Sequence, residues 1–137
     1  MKEEKENGGM DQARAHLDSI VELIDAYEKA LGEGEAELDG DILTAEKIEQ
    51  RIQETPLEIS VRSGWSCPGK LEAEEYMILL CTGRPAVRII GTLDQYLEPE
   101  NASIQGQDWF TKWETLHTNW GEEERIQRFA SFFCFSE

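Results

Sequence analysis

The chain is poor in cysteine, and its few cysteines are not arranged for cross-linking or metal binding. The 137 residues include three, Cys67, Cys81 and Cys134. Their number is odd, their spacing is wide and no C-x-x-C pair occurs, so neither a disulfide framework nor a zinc site is predicted. The thiols are expected to be reduced and mostly buried as small hydrophobic groups.

Basic residues are also scarce: 13 lysines and arginines stand against 29 acidic residues, for a net charge of −16. Binding to DNA, RNA or an anionic membrane surface depends on clustered positive charge, so no direct nucleic-acid or membrane partner is predicted. A basic protein is the partner that this charge favours.

Long apolar runs are missing. No run of about 18 apolar residues occurs, so no membrane-spanning helix is predicted. The first six residues are mostly charged and lack the apolar region of a secretory signal. We therefore expect a soluble, cytoplasmic protein, and the length fits one domain with one core.

Catalytic and cofactor motifs are missing as well. No G-x-S-x-G elbow, G-x-x-x-x-G-K-[ST] loop or G-x-G-x-x-G turn occurs. His16 and His117 are far apart and outside metal-ligand spacings, and Cys67 has no histidine near it in sequence. Residues 39–41 lack the order of a calcium-binding loop, and the acids at 122–124 should diverge into solvent rather than converge on a substrate. We predict no catalytic residue, no cofactor and no metal, and hence a protein that is not an enzyme.

Acidic residues are concentrated near the N-terminus. Residues 1–54 hold 16 acids against 6 bases, whereas residues 55–137 hold 13 against 7. Most aromatic residues lie in the second part. We therefore predict a disordered N-terminus over residues 1–9 and a single α+β domain over 10–137, in which 10–56 form an acidic helical arm and 57–137 form a sheet and a C-terminal helix.

The first helix is predicted from about Asp11 to Leu31, with Gly32 placed to end it. Apolar residues recur there at three- and four-residue steps, and several carboxylates fall together on the other side of the helix. The apolar stripe consists of Leu17, Ile20, Ile24, Tyr27 and Leu31.

An acidic linker and a shorter helix are predicted next. Residues 32–41 hold five acids and no base, which suggests a segment too polar to pack. A second helix then follows Thr44 as N-cap, places Ile48 and Ile52 on one face, and ends near Glu54.

The remaining chain is predicted to form a sheet and a final helix. The apolar period changes to two after residue 56, and the run 76–81 is apolar enough to be covered on both faces. Strands are predicted at about 57–62, 76–81, 86–93 and 103–107. A helix opens near Asn119. The predicted fold is α+β, a four-stranded antiparallel sheet with two N-terminal helices and one C-terminal helix.

Tryptophan is abundant for this length, and two explanations are open. The four residues are Trp65, Trp109, Trp113 and Trp120. The favoured explanation is packing of the C-terminal helix against the sheet. The other is a partner or ligand surface that includes arginines on the outer face of the sheet. Those arginines are Arg62, Arg84 and Arg88.

Several segments together carry a resemblance to a known family. They are residues 61–65 (VRSGW), 68–69 (PG), 78–83 (ILLCTG), 85–91 (PAVRIIG), 107–109 (QDW), Trp113 and 129–135 (FASFFCF). The chain resembles a family of small uncharacterised proteins encoded in bacteriophages and prophages, over about residues 57–135. It departs from the family pattern at Arg84, where a second glycine is expected, and at Thr111-Lys112, where Thr-Pro is usual.

The resemblance implies a bacteriophage setting in a bacterial host cell, and no catalytic residue can be carried over from the family. The leading hypothesis is a non-enzymatic acidic protein that binds and inhibits a basic, nucleic-acid-handling host protein. This type includes anti-CRISPR proteins, anti-restriction proteins and transcription inhibitors, some of which act as DNA mimics. The predicted partner-binding residues are Asp18, Glu22, Asp25, Glu33, Glu35, Glu37, Asp39, Trp109 and Trp113.

A second function from a different class stays open. The chain could be a phage structural or regulatory module that binds a protein through a Trp-rich surface, with the acidity serving solubility. A homodimer through the first helix is a further alternative, although its apolar stripe is more simply used against the sheet.

Overall fold

Three helices and seven strands make up the described part of the chain. The computed structural model describes residues 8–62, 74–82, 85–108, 112–133 and 135. In chain order the elements are α1 (Gly8–Glu33), β1 (Glu35–Leu38), β2 (Asp41–Thr44), α2 (Ala45–Glu54), β3 (Glu58–Arg62), β4 (Glu75–Cys81), β5 (Ala86–Thr92), β6 (Ser103–Gln107), β7 (Glu114–Thr115) and α3 (Trp120–Ala130).

Strands β3 to β7 form an antiparallel sheet in sequential order, and β1 pairs with β2 in a separate two-stranded sheet. The predicted α+β fold is confirmed, whereas the predicted four-stranded sheet is wrong because this sheet has five strands. The extra strand β7 contains only Glu114 and Thr115, which pair with Gly106 and Gln105. Two residues are too few to give an alternation that the sequence could reveal.

The hairpin of β1 and β2 stands where an acidic linker was predicted. Strand β1 alternates exposed glutamates with the buried residues Ala36 and Leu38, and it contacts α1. Asp39 and Gly40 form the turn, with φ angles of 53° and 84°. Two positive φ angles are typical of a type I′ turn, for which Asp-Gly is a preferred pair. The linker prediction is wrong because acidic composition masked a period-two pattern.

Helix α1 is part of the core and not an arm. It contacts β5 and β6 and has α2 and α3 as neighbours. The predicted stripe is confirmed at Leu17, Ile20 and Ile24, which are buried, whereas Leu31 is 60 % exposed. Small side chains complete the buried face: Ala13, Ala26 and Ala30.

Helix α1 begins inside the segment that was predicted to be disordered. Gly8 and Gly9 are helical, and a Cβ on Gly106 of β6 would lie 2.2 Å from the carbonyl oxygen of Gly9. Glycine at both positions therefore lets the helix backbone touch the strand backbone. Residues 1–7 lie outside the described residues. At its other end, α1 runs past Gly32 to Glu33, and Gly34, with φ of 95°, follows it.

The two shorter helices begin where their caps predict. The side chain of Thr44 accepts a hydrogen bond from the backbone N–H of Lys47 at 3.4 Å, and α2 ends at Glu54. For α3, Asn119 Oδ1 accepts from the backbone N–H of Glu122 at 2.8 Å, and the Glu122 carboxylate accepts from the Asn119 N–H at 3.1 Å. This reciprocal capping box fixes the start of α3.

The large buried side chains of the sheet lie on the face toward α1. In β4 the buried residues are Tyr76, Ile78 and Leu80, and they alternate with half-buried ones. Where cover on both faces was predicted, the second face of this run is only partly covered. Val87, Ile89 and Ile104 continue the buried face, and α3 adds Ile126, Phe129 and Ala130.

Candidate functional site

The predicted acidic residues lie on the outer side of the helical layer. We call this surface the acidic face. Its seven members come from α1 and from the hairpin that follows it, and all are exposed: Asp18, Glu22, Asp25, Glu33, Glu35, Glu37 and Asp39.

Arginines partly neutralise three of these carboxylates. Asp25 accepts a hydrogen bond from Arg125 at 2.8 Å, which joins α1 to α3. Arg14 lies 3.8 Å from Asp18, and Arg51 lies 3.6 Å from Asp39. These ion pairs are exposed to solvent, so each contributes little to stability.

The other four carboxylates of the acidic face have no ion pair with a described basic residue. They are Glu22, Glu33, Glu35 and Glu37. Glu35 and Glu37 alternate with buried residues of β1, so they lie on the same side of that strand. Their charge is available to a partner.

One cleft brings two of the predicted residues together. It has a volume of about 340 Å³ and lies between α1, the hairpin turn and α2. Glu22, Asp39 and Glu54 line it, together with Arg51. Asp25 lies instead on the side of α1 toward α3, so the predicted carboxylates form a broad surface and not a single pocket.

The opposite side of the molecule carries a second surface, which we call the open face. It is the face of the five-stranded sheet that points away from α1. Met77, Ile90 and Ser103 are register partners across β4, β5 and β6 and share this face, as do Leu79, Arg88 and Gln105. A cavity of about 390 Å³ lies over part of it.

Arg88 is a cation on the open face that neighbouring side chains hold in place. Its Nε donates to Gln105 Oε1 at 2.8 Å, and its guanidinium lies 4.1 Å from the centre of the Trp113 ring. Burial, and secondly the positive charge of Arg62, lower the pKa of Arg88. Burial is the larger of these two causes, so the lowered pKa mainly reports that the guanidinium is partly removed from water.

The tryptophans do not build the described core. Trp113 is half-buried beside Arg88 on the open face, and Trp120 is 80 % exposed at the start of α3. Core packing of α3 uses phenylalanine instead, with Phe129 fully buried and in ring contact with Phe133. The favoured core explanation is therefore wrong for Trp113 and Trp120. Trp65 and Trp109 lie outside the described residues.

The outer-face arginines were predicted as a set of three. Arg62 and Arg88 lie there, and both line the cavity. Arg84 lies outside the described residues. The apolar floor of the cavity was not predicted from the sequence. Met77 and Ile90, which lie at alternating positions of two neighbouring strands, indicate it.

The candidate catalytic groups are not brought together among the described residues. Burial raises the pKa of the Cys81 thiol, which disfavours the reactive thiolate. Glu122 is held by its capping bonds and by Arg14 at 2.8 Å; the backbone bond from Asn119 and then the Arg14 bond lower its pKa. Cys67 and Cys134 lie outside the described residues.

No metal site is found in the part of the chain that the structure describes, since no three ligating side chains are grouped there. Asp39 and Asp41, which flank Gly40, are instead both 3.6 Å from Arg51. Within the same described residues, no helix has the length and apolarity to cross a membrane.

His16 supplies a pH-dependent contribution to stability. Burial on α1 lowers its pKa, so the unfolded state binds more protons than the folded state as the pH falls through about 6.5, the ordinary histidine value. Stability due to this group is therefore present at higher pH and is lost on acidification. We expect His16→Gln to lose less unfolding free energy than the natural chain between about pH 7.5 and 5.5, as measured by urea unfolding. An equal loss in both proteins would contradict this assignment.

No family model, curated protein or solved structure matched this chain in the three comparisons made. The resemblance to a bacteriophage family stays a prediction from the sequence.

Proposed function

We propose that this protein is a non-enzymatic binding protein whose acidic face docks on a basic surface of a nucleic-acid-handling protein in a bacterial host cell and inhibits it. The observation that carries the proposal is the placement of seven exposed carboxylates on α1 and the adjoining hairpin. The bacteriophage setting comes from the sequence resemblance and belongs to the same proposal.

The spacing of charge along α1 is compatible with mimicry of a DNA strand. Four carboxylates follow one line of the helix, and Asp11 and Asp25 are its ends. Fourteen residues of helix rise about 21 Å, and one strand of duplex DNA carries roughly six phosphates over that length. The number of carboxylates along this line is thus about two thirds of the number of phosphates on a strand, with Asp18 and Asp25 partly neutralised by arginines. The hairpin adds Glu35 and Glu37.

The short range of electrostatic attraction in salt also favours a contact through one face of the protein. At physiological salt the Debye length is about 8 Å, so a partner senses mainly the carboxylates that it approaches directly. A surface with several carboxylates free of arginine partners therefore attracts a basic protein more strongly than the overall charge alone would. Such attraction acts chiefly on the association rate and is weakened by salt.

The test is a triple substitution of unpaired carboxylates, Glu22→Gln, Glu35→Gln and Glu37→Gln. The tagged protein is used to capture partners from bacterial lysate, and bound proteins are identified by mass spectrometry. We expect the natural chain to retain a DNA- or RNA-binding protein that excess duplex DNA and raised salt displace. The triple variant should retain it at least about tenfold less, because each lost charge contact contributes on the order of 0.5–1 kcal/mol.

A matched control removes the same charge from the sheet side, by Glu58→Gln, Glu98→Gln and Glu100→Gln. These side chains are exposed and outside the acidic face. The control variant should keep the partner. Equal retention by both triple variants, or a partner that duplex DNA does not displace, would refute the mimicry proposal.

A second candidate function rests on the exposure of Trp120 and the half-exposed position of Trp113. In this alternative the chain is a structural or regulatory module that binds a protein through aromatic side chains, and the acidity serves solubility. The same capture experiment separates the two candidates. A partner that resists raised salt and is retained equally by the two triple variants would favour the aromatic surface.

A further inference from the structure

The cavity on the open face is a site distinct from the acidic face. Its volume of about 390 Å³ lies near the lower end of the range for small-ligand pockets. Apolar side chains form part of its lining, namely those of the register partners Met77 and Ile90. Polar groups at the rim include Thr92 and Ser103. An apolar floor with a few polar groups is the usual composition of a site for a small organic molecule.

Arg88 lines this cavity and has no carboxylate partner among the described residues. The other described arginines all have one: Arg14, Arg51, Arg62, Arg125 and Arg128. The chain has 29 acidic residues and 13 basic ones, and Arg88 is the exception among its described arginines. The neighbouring contacts of Arg88 are neutral, namely an amide, a thioether and an indole ring.

These contacts orient the guanidinium before any ligand binds. Gln105 holds Nε, and Trp113 covers one side of the planar group. Among the described residues, the acceptor for Nη1 is the weak one Met77 Sδ, at 3.8 Å. Strong donors therefore remain for an anion, and little side-chain entropy is lost when they are used.

Glu75 also lines the cavity, but its charge is engaged. It forms an ion pair with Arg62, which lines the cavity too. The pair is close to neutral, so Glu75 does not compete for Arg88.

We propose that this cavity binds a small organic monocarboxylate, with the carboxylate paired to Arg88 and a flat apolar body resting on Met77 and Ile90. Guanidinium and carboxylate are matched in shape and can form two parallel hydrogen bonds. The floor is a sheet surface, which a planar body contacts along one whole side. A monoanion is favoured over a dianion because the net charge of −16 repels the second charge as well.

The test uses benzoate as the probe and the full chain labelled for NMR. Benzoate should shift the Nε–H signal of Arg88 and the methyl signal of Met77, with a dissociation constant on the order of 1 mM at low salt. Benzamide, which has the same shape without the charge, and inorganic phosphate should each bind at least tenfold more weakly.

Two arginine substitutions provide the matched comparison, because each removes one positive charge. Arg88→Gln should weaken benzoate binding at least tenfold, whereas Arg128→Gln, on α3 and away from the cavity, should leave it within about twofold. Arg88→Lys keeps the charge and should retain binding with a loss of about threefold to tenfold. Amide spectra of each variant confirm the fold before titration.

Absence of any shift at 20 mM benzoate would overturn the proposal. Equal binding by the natural chain and Arg88→Gln, or binding of benzamide as strong as that of benzoate, would also overturn it. The result of the benzoate titration does not depend on the result of the partner-capture experiment, because the residues substituted here are not those of the acidic face.

Discussion

Leu17→Ala is expected to lower the free energy of unfolding by about 2–5 kcal/mol, the range for removing a fully buried leucine side chain. Leu17 is fully buried on α1, at the contact between that helix and the rest of the core. The loss combines the transfer of apolar surface with the cavity left behind, because close-packed neighbours relax only in part. Urea unfolding followed by circular dichroism measures the change, with the midpoint and slope fitted together.

Leu31→Ala is the matched control on the same helix. Both leucines belong to the apolar stripe that the sequence predicts, but Leu31 is 60 % exposed. Its substitution should change the unfolding free energy by about 0.5 kcal/mol or less. Equal effects of the two substitutions would mean that α1 is an appended arm, contrary to its position in the structure.

Gly106→Ala is expected to destabilise the fold by about 1–3 kcal/mol or more, as overpacking does in a closely packed site. An added Cβ would lie 2.2 Å from the carbonyl oxygen of Gly9 and 3.3 Å from Ala13 Cβ. The obstructing atoms are mainly backbone, so no side-chain rotation relieves the contact. Either α1 moves away from β6 or the strand distorts, and both separate buried surfaces.

Gly32→Ala provides the comparison for the same chemical change. A Cβ there meets nothing within 4 Å, and the residue is helical. This substitution should leave stability unchanged or raise it by up to about 1 kcal/mol, because alanine favours helix. Thermal and urea unfolding of both variants separate the two cases. A neutral Gly106→Ala would show that the close approach of α1 and β6 is not required.

The two proposed sites lie on opposite sides of one thin core. The acidic face belongs to α1 and the hairpin, and the cavity belongs to the outer side of β3 to β6. Substitutions at one surface should therefore leave the other intact, since no side chain is shared between them. The proposed electrostatic contact and the proposed small-ligand site can therefore be tested separately.

The periodicity of apolar residues determined the order and type of most elements. Steps of three and four residues predicted α1 and α3, period-two alternation predicted β3, and a continuous apolar run predicted β4. Thr44 and Asn119 predicted the starts of α2 and α3, because an N-cap acts through backbone groups only three residues away. The exposed carboxylates of α1 followed from the same helical spacing.

Composition led to wrong predictions at two segments, the hairpin and the start of α1. The hairpin was concealed because five acids within residues 32–41 outweighed the alternation of Ala36 and Leu38. Gly8 and Gly9 suggested disorder, yet Gly9 permits close contact with a strand that is distant in sequence. A local sequence pattern does not indicate which strand the backbone of a helix will contact.

The sequence by itself determined the class of the fold, the elements with a clear period and the excess of negative charge. Only the tertiary structure decided which acids stay without an arginine partner, that Trp113 lies beside Arg88, and that Arg88 lines a cavity without a carboxylate partner among the described residues. The physical reason is that charge pairing and cavities depend on distances between strands and helices far apart in the chain. Periodicity, in contrast, depends only on neighbours within a few residues.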